Sequence, residues 1–155
     1  MDTMPPAQLR VLLVERNEGV CELLTSLLER MGFIAEAVKT GAEAMAAARA
    51  RPPHAVYSSL MLGDMHGFDL CRMLRSMPEL EHTVFVALTG YSETNVVQES
   101  KDAGFAYCLL KPVSLGAILA PLHSIPGLEE DGALHDAYRA FNKALLDAER
   151  QLSNQ

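Results

Sequence analysis

The chain lacks three features that each mark a large class of proteins. Its thirteen lysines and arginines form no clustered basic face, which binding to nucleic-acid phosphates requires. No apolar run approaches the roughly 20 residues that a membrane-spanning helix needs. Residues 1–6 have neither a basic start nor the apolar core of a leader peptide. With a formal net charge of −7, the sequence predicts no nucleic-acid partner, no membrane partner and a cytoplasmic location.

Cysteine is also scarce. The three cysteines, Cys21, Cys71 and Cys108, are odd in number, far apart and without CxxC spacing. Disulfide frameworks and zinc sites use paired or closely spaced cysteines. We therefore expect ordinary buried or half-buried thiols.

What the chain does contain is one core and a regular alternation of elements. Its 155 residues, 49% of them hydrophobic, suffice for one domain. Short apolar runs alternate with segments of helical periodicity. The predicted strands cover residues 9–14, 33–38, 55–58, 83–88 and 105–110. The predicted helices cover residues 20–31, 41–51, 68–74, 92–103 and 114–123. Five β/α units predict a parallel sheet with helices on both faces.

Polar residues follow four of the five predicted strands. In such a sheet the ligand crevice lies beyond the carboxyl ends of the strands. The residues there are Glu15-Arg16-Asn17, Ser58-Ser59, Thr89-Gly90 and Lys111-Pro112. We expect them to converge on one small crevice.

Several motifs in a fixed order make residues 8–123 resemble the receiver domain of two-component response regulators. They are LRVLLVERNE, GFIAEAVKTGAEAM, PHAVYSSLMLGDMHGFDLCRMLR, VFVALTG and GFAYCLLKP. The resemblance implies an α/β, flavodoxin-like (βα)5 doubly wound sheet with strand order 2-1-3-4-5. It also implies a phospho-acceptor aspartate at the end of the third strand, an acid pair that holds Mg²⁺, and a Thr and a Lys that contact phosphoryl oxygens.

The residues at these implied positions depart from the family pattern. Ser59 occupies the phospho-acceptor position, Glu15 and Arg16 occupy the acid pair, and Thr89 and Lys111 match the phosphate contacts. A serine hydroxyl is a weak nucleophile without an adjacent base, and Mg²⁺ in proteins is usually held by one or two carboxylates. We therefore expect no catalytic residue, no phosphoaspartate, no Mg²⁺ and no other cofactor.

Other roles for these residues remain open. Lys111 could persist as an ion-pair partner of Glu15, and Arg16 could pair with Glu15 or bond to backbone carbonyls. A protein kinase could modify Ser59. Asp64 could act as a displaced acceptor, although its position five residues after Ser59 predicts that it lies outside the pocket.

Two further departures concern signal transmission. The family's aromatic switch position is Cys108 here, and the neighbouring Tyr107 should point to the opposite face, because side chains alternate along a strand. His66 replaces the usual aspartate of the loop after the third strand. We expect this replacement to weaken the hydrogen bonding of that loop.

The sequence continues past the receiver-like domain (8–123) with a linker (124–132) and a predicted amphipathic helix (133–152). A heptad a/d stripe runs along this helix. Its members are Leu134, Tyr138, Phe141, Leu145, Ala148 and Leu152. The stripe could dock on its own domain, form a homodimer or bind a partner.

Two functional classes compete. The favoured one is a non-enzymatic, phosphorylation-independent pseudo-receiver that acts as adaptor, scaffold or dimerisation unit in a bacterial two-component-type pathway, with a histidine kinase or another signalling protein as partner. The alternative is a functional phosphoreceiver with a displaced acceptor. A third reading is a flavodoxin-like domain that binds a small anion through Arg16, Thr89 and Lys111.

Overall fold

The computed structural model describes residues 9–90, 95–111, 115–125 and 150–151. The strands are β1 (Arg10–Val14), β2 (Ile34–Val38), β3 (Ala55–Ser59), β4 (Val84–Thr89) and β5 (Tyr107–Leu110). The helices are α1 (Glu18–Arg30), α2 (Gly41–Ala50), α3 (Gly67–Arg75), α4 (Val96–Ala103) and α5 (Leu115–Leu119). Two 3-10 helices cover Pro78–Leu80 and Ala120–Ser124.

The five strands form one parallel sheet in the order β2-β1-β3-β4-β5. This arrangement confirms the predicted flavodoxin-like fold and its strand order. Strands β3 and β4 are buried at every residue, whereas the edge strands β2 and β5 are partly exposed. Central strands of a parallel sheet are covered on both faces, which is why their sequences read as continuous apolar runs.

Alternation along the strands divides the core between the two faces of the sheet. Leu13, Tyr57 and Val86 belong to the face that packs against α1 and α5. Val56 and Phe85 belong to the face that packs against α2, α3 and α4. The Tyr57 hydroxyl donates to the Ile118 carbonyl of α5, and burial raises the pKa of Tyr57. This bond fixes α5 to the middle of the sheet.

Helix ends follow local sequence signals. Asn17 accepts a hydrogen bond from the Val20 amide at 3.0 Å at the start of α1. Thr40 accepts one from the Glu43 amide at 3.1 Å at the start of α2. Such caps satisfy amides that have no partner within the helix. Gly104, with a φ of 115°, ends α4 in the left-handed conformation that glycine adopts without strain.

Several predicted boundaries differ from the structure, two of them for elements near the C-terminal end of the sheet. The single helix predicted over residues 114–123 is the five-residue α5 followed by a 3-10 helix. Pro121 explains the change, because proline lacks an amide hydrogen and its ring clashes with the preceding turn of an α-helix. Strand β5 begins two residues later than predicted, and the 3-10 helix Pro78–Leu80 was not predicted.

The C-terminal predictions lie almost entirely outside the described residues. Within the predicted linker, Ser124 and Ile125 are described, and Ile125 is 1% exposed in the core beside α5. Of the predicted helix over residues 133–152, Arg150 and Gln151 are described and are helical. None of the helices in the described parts of the chain has the length and apolar character to cross a bilayer.

Candidate functional site

The carboxyl edge of the sheet carries a cleft of about 450 Å³. The residues that line it are Glu15, Ser59, Leu60, Met61, Leu88, Thr89, Gly90 and Lys111. They come from the ends of four strands, because parallel strands present their carboxyl ends at the same edge. The predicted convergence is therefore confirmed for Glu15, Ser59, Thr89 and Lys111, while Arg16 is not among the residues that line the cleft.

Three side chains bond to one another at the base of the cleft. The Ser59 hydroxyl donates to Oε2 of Glu15. The Lys111 ammonium lies 2.6 Å from the same carboxylate oxygen and 2.9 Å from Ser59 Oγ. Glu15 and Ser59 are 4% and 5% exposed. The expected pairing of Lys111 with Glu15 is confirmed, and we refer to Glu15, Ser59 and Lys111 as the polar triad.

The hydrogen bonds around Glu15 determine its pKa. Burial by itself raises the pKa of Glu15, but hydrogen bonds from Lys111, Ser59 and the Asn17 amide and the Lys111 charge outweigh it, so the pKa is lower than usual. The Asn17 amide donates to Oε1 at 3.1 Å. Both carboxylate oxygens are thus engaged by donors within the protein. Glu15 is ionised at neutral pH and its charge is balanced by Lys111.

Arg16 points away from this triad. Its side chain is exposed, and a Cβ built at Gly63 would meet Arg16 Nε at 3.7 Å and Cζ at 3.8 Å. Within the described residues, the acid that pairs with Lys111 is Glu15, and no ion pair joins Arg16 to it. The suggested Arg16–Glu15 pair is therefore wrong, because the Arg16 side chain extends over the loop after β3 instead.

Cys108, at the switch position, and its neighbour Tyr107 point to opposite faces of the sheet, as predicted. Cys108 packs against the α2–α4 face, where the Ser100 hydroxyl lies 3.7 Å from its sulfur. Tyr107 is 36% exposed, and its hydroxyl bonds to that of Ser124 on the other side. Tyr107 cannot replace an aromatic residue at position 108 without a shift of register.

The loop between β3 and α3 is tied to its neighbours by bonds that the sequence did not reveal. Asp64 Oδ1 accepts from the Gly41 amide at 2.9 Å and Oδ2 from the Ala42 amide at 3.0 Å. These amide bonds lower the pKa of Asp64. Asp64 lies outside the residues that line the cleft, as predicted, and serves as a cap for α2. Because Asp64 lies 23 residues from Gly41 in the sequence, no local sequence pattern could have predicted this cap.

His66 takes part in the hydrogen bonding of the loop that leads into α3. Its Nδ1 accepts the Phe68 amide at 3.1 Å at the start of α3. The imidazole therefore supplies the acceptor that an aspartate would have supplied. The start of α3 therefore has a side-chain cap, while the predicted weakening of the loop stays a prediction.

Comparison with known proteins gives a consistent result. The family model described as "Response regulator receiver domain" matches residues 11–123. The DNA-binding response regulator MtrA of Mycolicibacterium smegmatis is 30% identical over 131 residues, which cover 84% of this chain and 55% of MtrA. The polar-differentiation response regulator DivK of Brucella ovis is 25% identical over 117 residues, covering 76% of this chain and 95% of DivK.

Solved structures agree. A CheY-like response regulator receiver domain from Methylobacillus flagellatus is 32% identical with a TM-score of 0.69, and the match covers 76% of this chain and 98% of that domain. The chain spans only about half of the length of MtrA, so the activity of that whole protein does not transfer with the match.

Proposed function

The chain belongs to the response regulator receiver domain family, and from this premise we propose that it is a phosphorylation-independent receiver-like signalling module that acts through protein–protein contacts. Its family makes it a receiver-domain signalling protein of a two-component system. The proposal concerns how it signals. The observation that carries the proposal is the polar triad, in which Ser59 stands at the phospho-acceptor position and is bonded to Glu15 and Lys111.

Ser59 is poorly placed to replace an acceptor carboxylate. Its hydroxyl must lose a proton to attack phosphorus, and a general base must take that proton. Glu15 accepts the hydrogen bond of this hydroxyl, but its lowered pKa makes it a weak base. Lys111 Nζ lies 2.6 Å from the same carboxylate and, as an ammonium, has no lone pair with which to accept a proton. No member of the triad therefore activates the hydroxyl.

Mg²⁺ does not fit the donor set. Glu15 is the single carboxylate among the residues that line the cleft, and Mg²⁺ would have to compete with Lys111 for Oε2 and with the Asn17 amide for Oε1. Unit charges of opposite sign about 4 Å apart attract by about 4 kcal/mol at an effective dielectric near 20. A metal ion would have to displace that interaction. We propose that the Lys111 ammonium supplies the positive charge and that no metal binds.

Signalling would then depend on surfaces that contact other proteins. Val97, Tyr107 and Leu110 are exposed apolar side chains on α4 and β5, with 49%, 36% and 53% exposure. The a/d stripe of the C-terminal segment 133–152 adds a second apolar surface by sequence. We propose an adaptor, scaffold or dimerisation role without enzymatic activity. The partner would be a histidine kinase, another signalling protein or a second copy of the chain.

Intact-mass spectrometry after incubation with acetyl phosphate and Mg²⁺ tests the proposal. The expected result is no added phosphoryl group on the wild-type chain. The matched variant carries Ser59→Asp and Arg16→Asp, which restore the missing carboxylates, and should bind Mg²⁺ and gain one phosphoryl group. One hydroxylamine-labile phosphoryl group on the wild-type chain would overturn the proposal in favour of a functional phosphoreceiver with a displaced acceptor.

The other two readings are less well supported by the geometry. Both carboxylate oxygens of Asp64 already accept backbone amides, which argues against Asp64 as a displaced acceptor. Lys111 is already paired with Glu15, and Arg16 lies outside the cleft lining, which argues against an anion site. An anion that binds the folded state would raise the melting temperature. We expect sulfate at millimolar concentration to leave it unchanged at constant ionic strength.

The homodimer version of the proposal has its own test. Phe141→Asp places a charge on the a/d stripe, and a helical interface built on that stripe would be disrupted. Sedimentation should then show a shift from dimer to monomer while circular dichroism stays unchanged. An unchanged mass would restrict the role of the stripe to contacts within the chain or with another protein.

A further inference from the structure

A groove of about 440 Å³ lies beside the edge strand β2, far from the polar triad. Residues at the start of β1 and β2 and at the end of α2 line it, among them Leu12, Ile34, Ala47 and Ala50. Ile34 is 41% exposed. The alanines of α2 are too short to fill the space over β2, so an apolar floor remains open.

The groove also carries unbalanced positive charge. Arg10 and Arg51 line it together with one acid, Glu36. Among the described residues, the ion pairs Lys39–Glu18, Arg72–Asp69 and Lys111–Glu15 involve neither arginine. Neither Arg10 nor Arg51 therefore has an acidic partner among those residues. The groove fits a ligand that combines apolar and acidic groups.

The chain itself passes close to this groove. A second cleft of about 260 Å³ is lined by Ile125 and by Pro52, Pro53 and His54, and Pro53 also lines the groove. Arg10 is bonded to His54 in both directions, through its amide to Nδ1 at 3.0 Å and through its carbonyl to the His54 amide at 2.8 Å. Ile125 thus lies next to the wall that the two depressions share.

The sequence immediately after Ile125 has the required composition. It reads Pro126-Gly127-Leu128-Glu129-Glu130-Asp131. Four residues of extended chain span about 13–14 Å, so residue 129 can extend that far from Ile125 along the shared wall. Three consecutive acids complement the two arginines, and Leu128 complements the apolar floor.

We propose that the acidic segment 128–131 docks in the Arg10/Arg51 groove of its own chain. Docking would fix the start of the C-terminal amphipathic segment beside β2, on the opposite edge of the sheet from β5. The apolar residues of β5 would then remain available to a partner. The inference does not depend on the proposed function, since a phosphoreceiver could carry the same attachment.

Hydrogen–deuterium exchange of the full chain at low salt tests this proposal through the amides of residues 128–132. The wild-type chain should show protection there that disappears at about 1 M salt, because the Debye length falls to about 3 Å. Arg51→Glu should speed exchange roughly fivefold, the effect of losing a favourable exposed ion pair. The matched control is Arg49→Glu, an exposed residue of α2 outside the groove lining, which should leave exchange unchanged.

Charge reversal sharpens the result. Glu130→Lys should also speed exchange, and Arg51→Glu combined with Glu130→Lys should restore part of the protection. Glu36→Gln, which removes the acid of the groove, should slow exchange further. If Arg51→Glu fails to fold, the salt titration of the wild-type chain and Glu36→Gln still decide the matter.

Three outcomes would overturn the proposal. Residues 128–132 could exchange at the unprotected rate in the wild-type chain. Arg51→Glu and Arg49→Glu could have equal effects. Protection could appear only at concentrations where sedimentation gives a dimer, which would place the segment of one chain on a second copy.

Discussion

The two ends of the parallel sheet differ in whether their charged side chains form ion pairs. At the carboxyl end, Glu15 is bonded to Lys111 and Ser59 inside the cleft. At the amino end, Arg10 and Arg51 have no acidic partner among the described residues. At the carboxyl end the charged groups satisfy one another within the protein. At the amino end the charge of the two arginines is not balanced by an ion pair among the described residues.

The difference indicates where a change of state can originate. A buried ion pair is strongly coupled to folding, because removal of one partner leaves an unpaired buried charge. Arg51 is exposed and Arg10 is half-buried, and an arginine at the surface can gain or lose an acidic ligand with little effect on the stability of the fold. We therefore expect the charged residues at the carboxyl end to contribute mainly to the stability of the fold, and those at the amino end to contribute mainly to binding.

The largest expected effect comes from Lys111→Met, which leaves Glu15 buried without its counter-ion. We expect the free energy of unfolding to fall by about 2–4 kcal/mol, toward the lower side of the range for broken buried pairs because Lys111 is partly exposed. Urea unfolding at pH 7 measures it. Lys101→Met, an exposed change on α4, is the control and should alter stability by less than about 0.5 kcal/mol. Equal effects would show that the triad is not structural.

Gly67→Ala tests the loop that follows Ser59. A Cβ at Gly67 would meet the Ser59 carbonyl oxygen at 2.6 Å and Leu60 Cα at 2.9 Å. These are backbone atoms, so the loop must shift, and we expect a loss of about 1–3 kcal/mol. Gly90→Ala is the matched control, because no atom of the described residues lies within 4 Å of a Cβ built there. Thermal unfolding of both variants checks the contrast, which would fail if they melted together.

The pH dependence of stability is expected to report Glu15. Its folded-state pKa lies below the usual value of about 4.3, so its contribution is fully present above that value and is lost as the pH falls through the folded-state pKa. Urea unfolding between about pH 7 and pH 3 should show wild-type stability declining more steeply than that of Glu15→Gln. Parallel curves would mean that Glu15 is not ionised and paired in the folded state.

The smallest expected effect is that of Asp64→Asn, which weakens the bonds to the Gly41 and Ala42 amides and leaves the cleft intact. The pKa of Asp64 is lowered by those amides, so the variant should melt at a slightly lower temperature at pH 7 and at the wild-type temperature once Asp64 is protonated. Calorimetry at both pH values measures the difference. A difference that persists at low pH would assign the effect to side-chain packing.

Local patterns were sufficient to predict most of the fold. The apolar run Leu9–Val14 and the helical repeat that follows it identified β1 and α1, and the alternation of five such units predicted a parallel sheet. Boundaries failed where a single residue interrupts the pattern, as Pro121 does by changing α5 to a 3-10 helix. Propensity and periodicity act over one or two turns, so they locate elements better than their ends.

The candidate site was predictable in its membership and less so in its bonding. The rule that strands end at a common edge brought Glu15, Ser59, Thr89 and Lys111 together before any contact was known. A pair between Arg16 and Glu15 was one of the possibilities left open, and the Arg16 side chain lies over Gly63 instead. A long side chain has many rotamers, and the space left by the loop after β3 decides among them.

The sequence alone determined the number and order of the elements and the strand edge that carries the polar residues, because these depend on residue type and spacing along the chain. The tertiary structure decided which of two cations pairs with Glu15 and how Asp64 and His66 bond within and around the loop. It also decided that Arg10 and Arg51 share a groove. These contacts join residues that are distant in sequence, and only the packing of the sheet and its helices brings them together.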